Sequence, residues 1–328
     1  MPQSIAEVHP ELFHYTNVLG LKGIIESQTL WATHHGYLND SHEILEFQPR
    51  LLAYLRPHIE AHIEKLISVP ANRDLVAKNG GKEKIVLETV PTLIAGIFTA
   101  LLGKREIPPF SEPYITSFST ATDPNVAEHG LLSQWRSYGQ DGGYAIVFDT
   151  LGMEQLLKAE AEKWGHDIIG GDVIYSNATE SELVAEFAKE LAVIQDSVQA
   201  ILHGDLPDEQ MYPALLMCAC RYKHWGFREE QEVRLISALP VSEEVQTQMN
   251  ARGLPLKPRH FRTRSGTTVP YLALFDGITG TSGRSLPIKR IIVGPHSDGE
   301  NRKRAVQLLL RQHSVQADVS VSAIPYVG

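Results

Sequence analysis

Cysteine is nearly absent: Cys218 and Cys220 are the only two in 328 residues. Two apart in an apolar helical segment, they point to different sides of it and cannot bridge without distorting the helix. They read as buried thiols in a reducing compartment, and they are too few for a cysteine-based zinc site. No apolar run is long enough to span a bilayer, and Met1-Pro2-Gln3 opens no cleavable signal peptide, so a cytoplasmic chain without a membrane partner is expected. Gly277-Ile278-Thr279-Gly280-Thr281-Ser282-Gly283 is rich in glycine but lacks the lysine of a phosphate loop, which leaves a hairpin or surface loop. His58 and His62 stand at i and i+4 without the glutamate that follows the first histidine of a zinc-peptidase helix, so they read as surface residues. There is no nucleophile-elbow pattern, internal repeat, low-complexity tract or Pro/Gly/Ser-rich linker.

The chain does hold a large apolar fraction, 43% of its residues, enough for a substantial core. A formal net charge of −9 argues against nonspecific attraction to nucleic acid or anionic membrane. The acidity is uneven. Arg252, Lys257, Arg259, Arg262 and Arg264 follow one another with no acidic residue between, and a second basic cluster spans Arg284 to Arg311. Each can be a local phosphate-binding face or a set of solvated loop and helix charges.

Hydrophobic periodicity predicts an opening strand at Leu12–Thr16, an amphipathic helix carrying Val18, Leu21, Ile24 and Ile25, and a second strand at Thr29–Thr33. Asp40 and Glu43 have capping-box spacing before a helix with Ile44, Phe47, Leu51 and Leu55. A helical insertion is expected at about 57–109. Further strands are expected at Tyr114–Ser119, Gly143–Asp149 and Asp172–Ser176, with helices at Leu131–Gly139, Glu180–His203 and Pro207–Trp225. The last third reads as strands at Glu230–Ala238, Pro258–Thr263, Thr268–Phe275, Ile288–Val293 and Val315–Val321, plus a helix at Glu300–Gln312. One α+β domain over 1–328 is the simplest account.

Three constellations carry chemistry. If Glu230-Gln231-Glu232-Val233-Arg234 is a strand, Glu230, Glu232 and Arg234 share one face. Such a face demands partners if it is half-buried, or else is an exposed ladder in which Arg234 pairs Glu232. Ser117 and Ser119 alternate with Phe118, so both hydroxyls face one way, toward a site or toward solvent. Trp135 and Tyr138 sit three apart on one helix face; core packing is the favoured reading, a stacking ring for a ligand the other.

These blocks resemble a widespread bacterial family of uncharacterised function: His14-Tyr15-Thr16, Leu38-Asn39-Asp40-Ser41-His42-Glu43, Ser117-Phe118-Ser119, Trp135-Arg136-Ser137-Tyr138-Gly139 before a Gly-x-x-Ile-x-Phe strand, and Glu230-Gln231-Glu232-Val233-Arg234. More remotely, they resemble the ADP-ribosyltransferase superfamily. That resemblance implies a mixed, split β-sheet core of ADP-ribosyltransferase type with helical insertions, and NAD as substrate. It implies that His14 binds a ribose of NAD and that Tyr15 or Thr16 contacts the amide. Ser117 and Ser119 would support the pocket, with Trp135 or Tyr138 as the stacking ring. Glu232 would stabilise the oxocarbenium ion, and Glu230 or Arg234 would position the acceptor. The cluster with Arg259, Arg262 and Arg264 would bind that acceptor, a nucleic acid or nucleotide, in bacterial stress or phage defence. The second-block tyrosine of the poly-ADP-ribosylating branch has no counterpart here. Glu232→Gln is expected to abolish nicotinamide release with the fold intact. An NAD glycohydrolase and a non-catalytic sensor of a nucleotide-like ligand remain alternatives. A nuclease drawing on Asn39, Asp40 and Glu43 stands fourth.

Overall fold

The computed structural model describes residues 4–38, 43–101, 111–138, 142–165, 168–208, 210–240, 243–253, 255–264, 266–280 and 284–325. Asn39–His42, Gly139 and Thr281–Gly283 lie outside these, so the Asp40–Glu43 capping box, the Gly139 helix stop and the end of the glycine-rich loop fall outside the described residues.

The fold is α+β with a mixed, open sheet. Its strands are β1 (Glu11–Thr16), β2 (Leu30–His34), β3 (Ser111–Ser119), β4 (Tyr144–Asp149), β5 (Ile168–Asp172), β8 (Glu232–Pro240), β9 (Arg259–Arg264), β10 (Thr267–Leu274), β11 (Ile288–Val293) and β12 (Asp318–Val321). A separate parallel pair is formed by β6 (Ile174–Tyr175) and β7 (Tyr222–Lys223). All pairings in the large sheet are antiparallel except β11 with β12.

β3 is where the sheet forks. Along one side it pairs with β8 from Ser111↔Pro240 to Ser119↔Glu232. Along the other side it is held at two separate places. β1 meets it at Phe13↔Ser119, and β2 meets it at Thr33↔Ile115 and His34↔Tyr114. The Thr116–Phe118 stretch lies between these contacts, and two wings diverge from it, β1–β4–β11–β12 and β2–β10–β9.

Alternation of side chains across each strand gives the two faces different cores. Tyr114 and Phe118 of β3, with Val233 and Leu235 of β8, pack with Leu12, Leu30, Ile146 and Leu272 beneath helices 18–27, 150–164 and 299–312. On the opposite face Ile115 and Ile236 join a helical layer built from Glu43–Ser68, Val90–Leu101, Glu180–His203 and Met211–Cys220. Further along that same face, Phe13, Tyr15, Val147 and Ile292 enclose Trp135 of the Leu132–Tyr138 helix. Ser117, Ser119, Glu232 and Arg234 share this second face by register, between its two apolar clusters.

Several sequence expectations shift. The helix expected after Glu43 and the helical stretch expected from about 57 are continuous, one helix that runs from Glu43 to Ser68 through Pro49 and Pro57. The helix expected over Pro207–Trp225 is only Met211–Cys220, since the chain turns into β7 and then a 3₁₀ turn at Trp225–Glu230. β8 begins at Glu232 because Gln231 is in the left-handed region, φ 43°, so Glu230 does not share a strand face with Glu232 and Arg234. The exposed edge ladder is corrected too: β8 is paired on both sides, by β3 and β5. Among the described residues no helix is long and apolar enough to cross a membrane.

Candidate functional site

Ser117 is the node of the site. β3 presents its carbonyl into the fork, where His14 on β1 reaches it with Nδ1 at 3.0 Å. A carbonyl only accepts, so Nδ1 carries the proton. Burial lowers the pKa of His14, with the Ser117 carbonyl opposing and the nearby Arg262 charge reinforcing. The ring is therefore neutral, which makes Nε2 an acceptor suited to a ligand hydroxyl. Its ring also lies 5.7 Å from that of Phe118.

The hydroxyl of the same serine donates to Glu232. Glu232 opens β8, and its main chain is pinned on three sides. Its N–H donates to the Tyr175 hydroxyl at 3.1 Å, its carbonyl accepts from Val173, and the Gln231 carbonyl accepts from Thr120. The carboxylate is 5% exposed. Arg234 reaches Oε1 through Nε at 2.7 Å and Oε2 through a terminal nitrogen at 3.1 Å, a bidentate pair. Lys223 reaches Oε2 at 3.0 Å and also reaches Glu230 at 2.9 Å. Arg234 is fixed in turn by the Cys220 carbonyl at 2.7 Å, at the end of the Met211–Cys220 helix. Burial alone would push the Glu232 carboxyl up. Arg234, Lys223 and the Ser117 hydroxyl outweigh it and bring the pKa down to about 2. Glu232 is thus a permanent anion near neutrality, unsuited to proton transfer and suited to charge stabilisation. The four charges of Glu230, Glu232, Lys223 and Arg234 sum to zero.

A second group of side chains approaches the fork from the other wing. Arg262 donates to the Thr33 hydroxyl at 3.1 Å and lies 5.0 Å from the centre of the Trp31 ring. Arg259 instead donates to Tyr114 and to Glu112, both at 2.6 Å, and Arg264 donates to the Tyr37 carbonyl. The three arginines of one sequence cluster therefore do different things.

Ser117, Ser119, Glu232 and Arg234 come together on the second face of β3 and β8, whereas His14, which alternates with Phe13 and Tyr15, lies on the first face against Phe118 and meets the group only through the Ser117 carbonyl. Ser119 lies opposite Glu232 in register, while Ser117 is the serine bonded to its carboxylate. The neighbours of His14 serve the scaffold. The Tyr15 hydroxyl accepts from the Leu131 N–H at 2.8 Å, and burial pushes its pKa up to about 12. The Thr16 hydroxyl lies where a side chain on Gly20 would fall. Trp135 is core: it is 1% exposed, meets Tyr15 edge-on and donates to the His129 carbonyl. Tyr138 is 42% exposed, so the two rings do not share one buried face.

Lys223 and Tyr175 escape the sequence reading. Lys223 falls inside a predicted helix, although the alternation Cys220-Arg221-Tyr222-Lys223 is the signature of a short strand. Tyr175 sits in a two-residue strand and carries no such signal. Among the described residues no group of three or more His, Cys, Asp or Glu could hold a metal ion.

A family model described as "Protein of unknown function (DUF2971)" matches residues 134–235. That stretch includes Tyr175, Lys223, Glu230, Glu232 and Arg234, and excludes His14, Ser117 and Arg262. Comparison with curated proteins and with solved structures gave no match.

Proposed function

We propose that the chain is an NAD-dependent ADP-ribosyltransferase whose site is the fork at β3, a split core of the ADP-ribosyltransferase type. The observation that carries this reading is the double use of Ser117, which ties a neutral histidine to a permanently ionised glutamate across three adjacent strands. Two strand spacings, about 10 Å, separate the β1 and β8 backbones, and His14 and Glu232 lie on opposite faces of β3, so a ligand reaches both only through the opening between the β1 and β2 wings. The neutral Nε2 of His14 accepts a ribose hydroxyl. Glu232 stabilises positive charge at the ribose carbon as the bond to nicotinamide lengthens, the task a fixed carboxylate performs at other glycosidic bonds. Nucleic acid or a nucleotide is the acceptor class we favour, and water as acceptor would make the enzyme an NAD glycohydrolase.

One observation favours a second reading. Lys223 and Arg234 already compensate Glu230 and Glu232, which weakens the field available to a developing cation. A sensor that binds a nucleotide-like ligand without turnover needs no such field.

The test is nicotinamide release from NAD, with and without RNA, DNA and cell lysate, for the native protein, Glu232→Gln and His14→Ala. The histidine variant is needed because the glutamate variant unbalances a buried cluster. Release that needs one additive and vanishes in both variants identifies a transferase and its acceptor class. Release without additive identifies a hydrolase. A rise in melting temperature with NAD but no release supports the sensor. The absence of both nicotinamide release and a melting shift would remove NAD from consideration.

A further inference from the structure

Among the described residues Arg50, Arg262 and Arg302 are half-buried arginines with no carboxylate partner; Arg50 and Arg302 donate to backbone carbonyls, and of the three Arg262 is the one whose Nε is buried without a hydrogen bond. Arg221 faces Glu186, Arg234 faces Glu232 and Arg290 faces Glu11, and the exposed Arg259 faces Glu112. Arg262 has the Thr33 hydroxyl and the Trp31 ring, and its Nε is buried with no hydrogen-bond partner. Its position makes the lack more telling. β9 is the outer strand of its wing, from which a long cationic side chain reaches water easily. Arg262 instead lies back across β10 toward Thr33 on β2, a reach of roughly two strand spacings, about 10 Å. There it is close enough to the fork for its charge to act on His14. Withdrawing a guanidinium from water and leaving a donor unpaired is costly unless an anion completes the site.

The surroundings specify the anion. The indole of Trp31 lies against the guanidinium, which leaves the planar fork of N–H groups free to meet two oxygens at once. Beside it three rings form a row across the wing: Trp31 and Tyr271 with centroids 4.8 Å apart, then Tyr271 and His260 at 5.5 Å. All three are half-buried, so they are packed yet reachable. A guanidinium next to a row of aromatic rings fits a phosphate that carries a planar base.

We infer that Arg262, with Thr33 and Trp31, forms a phosphate-binding subsite at the mouth of the fork and that the Tyr271–His260 row receives the base of the same nucleotide. This rests on the fork being a ligand site, as proposed above, but not on any reaction there. The phosphate can belong to a free nucleotide or to a single nucleic-acid strand, and the ligands below separate the two.

The experiment measures binding of ADP, adenosine and a ten-nucleotide RNA to the native protein, Arg262→Gln, Arg262→Lys and, as a control, Arg73→Gln on the exposed side of the helical layer. ADP is expected to bind more tightly than adenosine. Arg262→Gln is expected to weaken ADP by about tenfold or more and to leave adenosine unchanged, as loss of a charged, two-pronged contact requires. Arg262→Lys restores part of the loss, and Arg73→Gln changes nothing. Stronger binding of the RNA with the same Arg262 dependence assigns the subsite to a strand; stronger binding of ADP assigns it to a free nucleotide. Equal affinity for ADP and adenosine, unaltered ADP binding in Arg262→Gln, or no binding of any phosphate-bearing ligand overturns the inference. Arg262-dependent ADP binding without nicotinamide release leaves the subsite standing and rejects the transferase. Nicotinamide release with an unchanged KM for NAD in Arg262→Gln does the reverse.

Discussion

Glu160 and Glu232 are both buried carboxylates with a lysine beside them, yet their surroundings drive their protonation in opposite directions. Glu160 lies in the Thr150–Trp164 helix. It faces the Lys257 ammonium and accepts the Phe275 N–H at 2.9 Å, with Lys257 4.9 Å from the Trp164 ring. Burial raises the Glu160 pKa and lowers that of Lys257, and their mutual attraction does not reverse either shift. Glu232 suffers the same burial but has Arg234, Lys223 and the Ser117 hydroxyl, and its pKa falls to about 2. One buried cation does not repay the desolvation of a carboxylate; two cations and a hydroxyl do. The first arrangement is a clamp between a helix and the approach to β9. The second is a fixed, fully ionised cluster.

The sharpest way to break this contrast is Glu232→Gln, which leaves Arg234 and Lys223 without their shared counter-charge. We expect a loss of about 3–5 kcal/mol in urea unfolding at neutral pH, so the simple expectation of an intact fold is revised. A loss below about 1 kcal/mol would show that the two cations find other partners.

Acid unfolding separates the two carboxylates next. The folded-state pKa of Glu232 lies below its unfolded value. Its stabilisation is therefore present above pH 4.5 and disappears as pH falls toward 2, about 3 kcal/mol in all. Glu160 is shifted upward, so the folded chain holds its proton longer and its contribution declines as pH rises through 4.5. Unfolding free energies across this range should lose their acid slope in Glu232→Gln. In Glu160→Gln the slope should steepen.

A smaller effect is expected for Ser117→Ala, about 1.5–3 kcal/mol for one hydrogen bond to a charged group. Acid unfolding should move to higher pH as the Glu232 pKa rises. No such movement would mean that the serine does not hold the carboxylate. Least of all should change when Glu160 and Lys257 are both replaced by methionine, because removing a buried pair together is commonly neutral or mildly stabilising. Lys257→Met alone should cost more than the double replacement in the same urea titration.

Where local rules act alone, the sequence is a good guide. Thr179 and Glu182 form a capping box, and the helix over Glu180–His203 has the bounds expected of it. Ile288–Val293 is a strand with the expected limits because nothing in its apolar run competes with extension. His14, Ser117 and Glu232 are legible as polar residues in apolar strands. Their meeting through one serine is not, since it depends on β3 having three neighbours. Glu230 is misplaced because Gln231 adopts a left-handed backbone, a one-residue break that flips everything before it. Lys223 is lost inside an apolar helix pattern that the chain abandons at Cys220. Arg262 cannot be told from Arg259 or Arg264 by spacing; Glu112, at the far end of β3, claims Arg259.

β3 has a cost in time as well as a place in space. Its contacts with β1, β2 and β8 all join segments some eighty or more residues apart, whereas the helices on either side of it close local contacts first. Chains dominated by such distant pairings fold slowly. The Glu232 carboxylate cannot meet Ser117 until β3 and β8 have paired at their Ser117↔Arg234 and Ser119↔Glu232 end. A refolding chain should therefore regain helical circular dichroism before it regains any ligand binding, and the fork should be the last part of the molecule to acquire protection from hydrogen exchange.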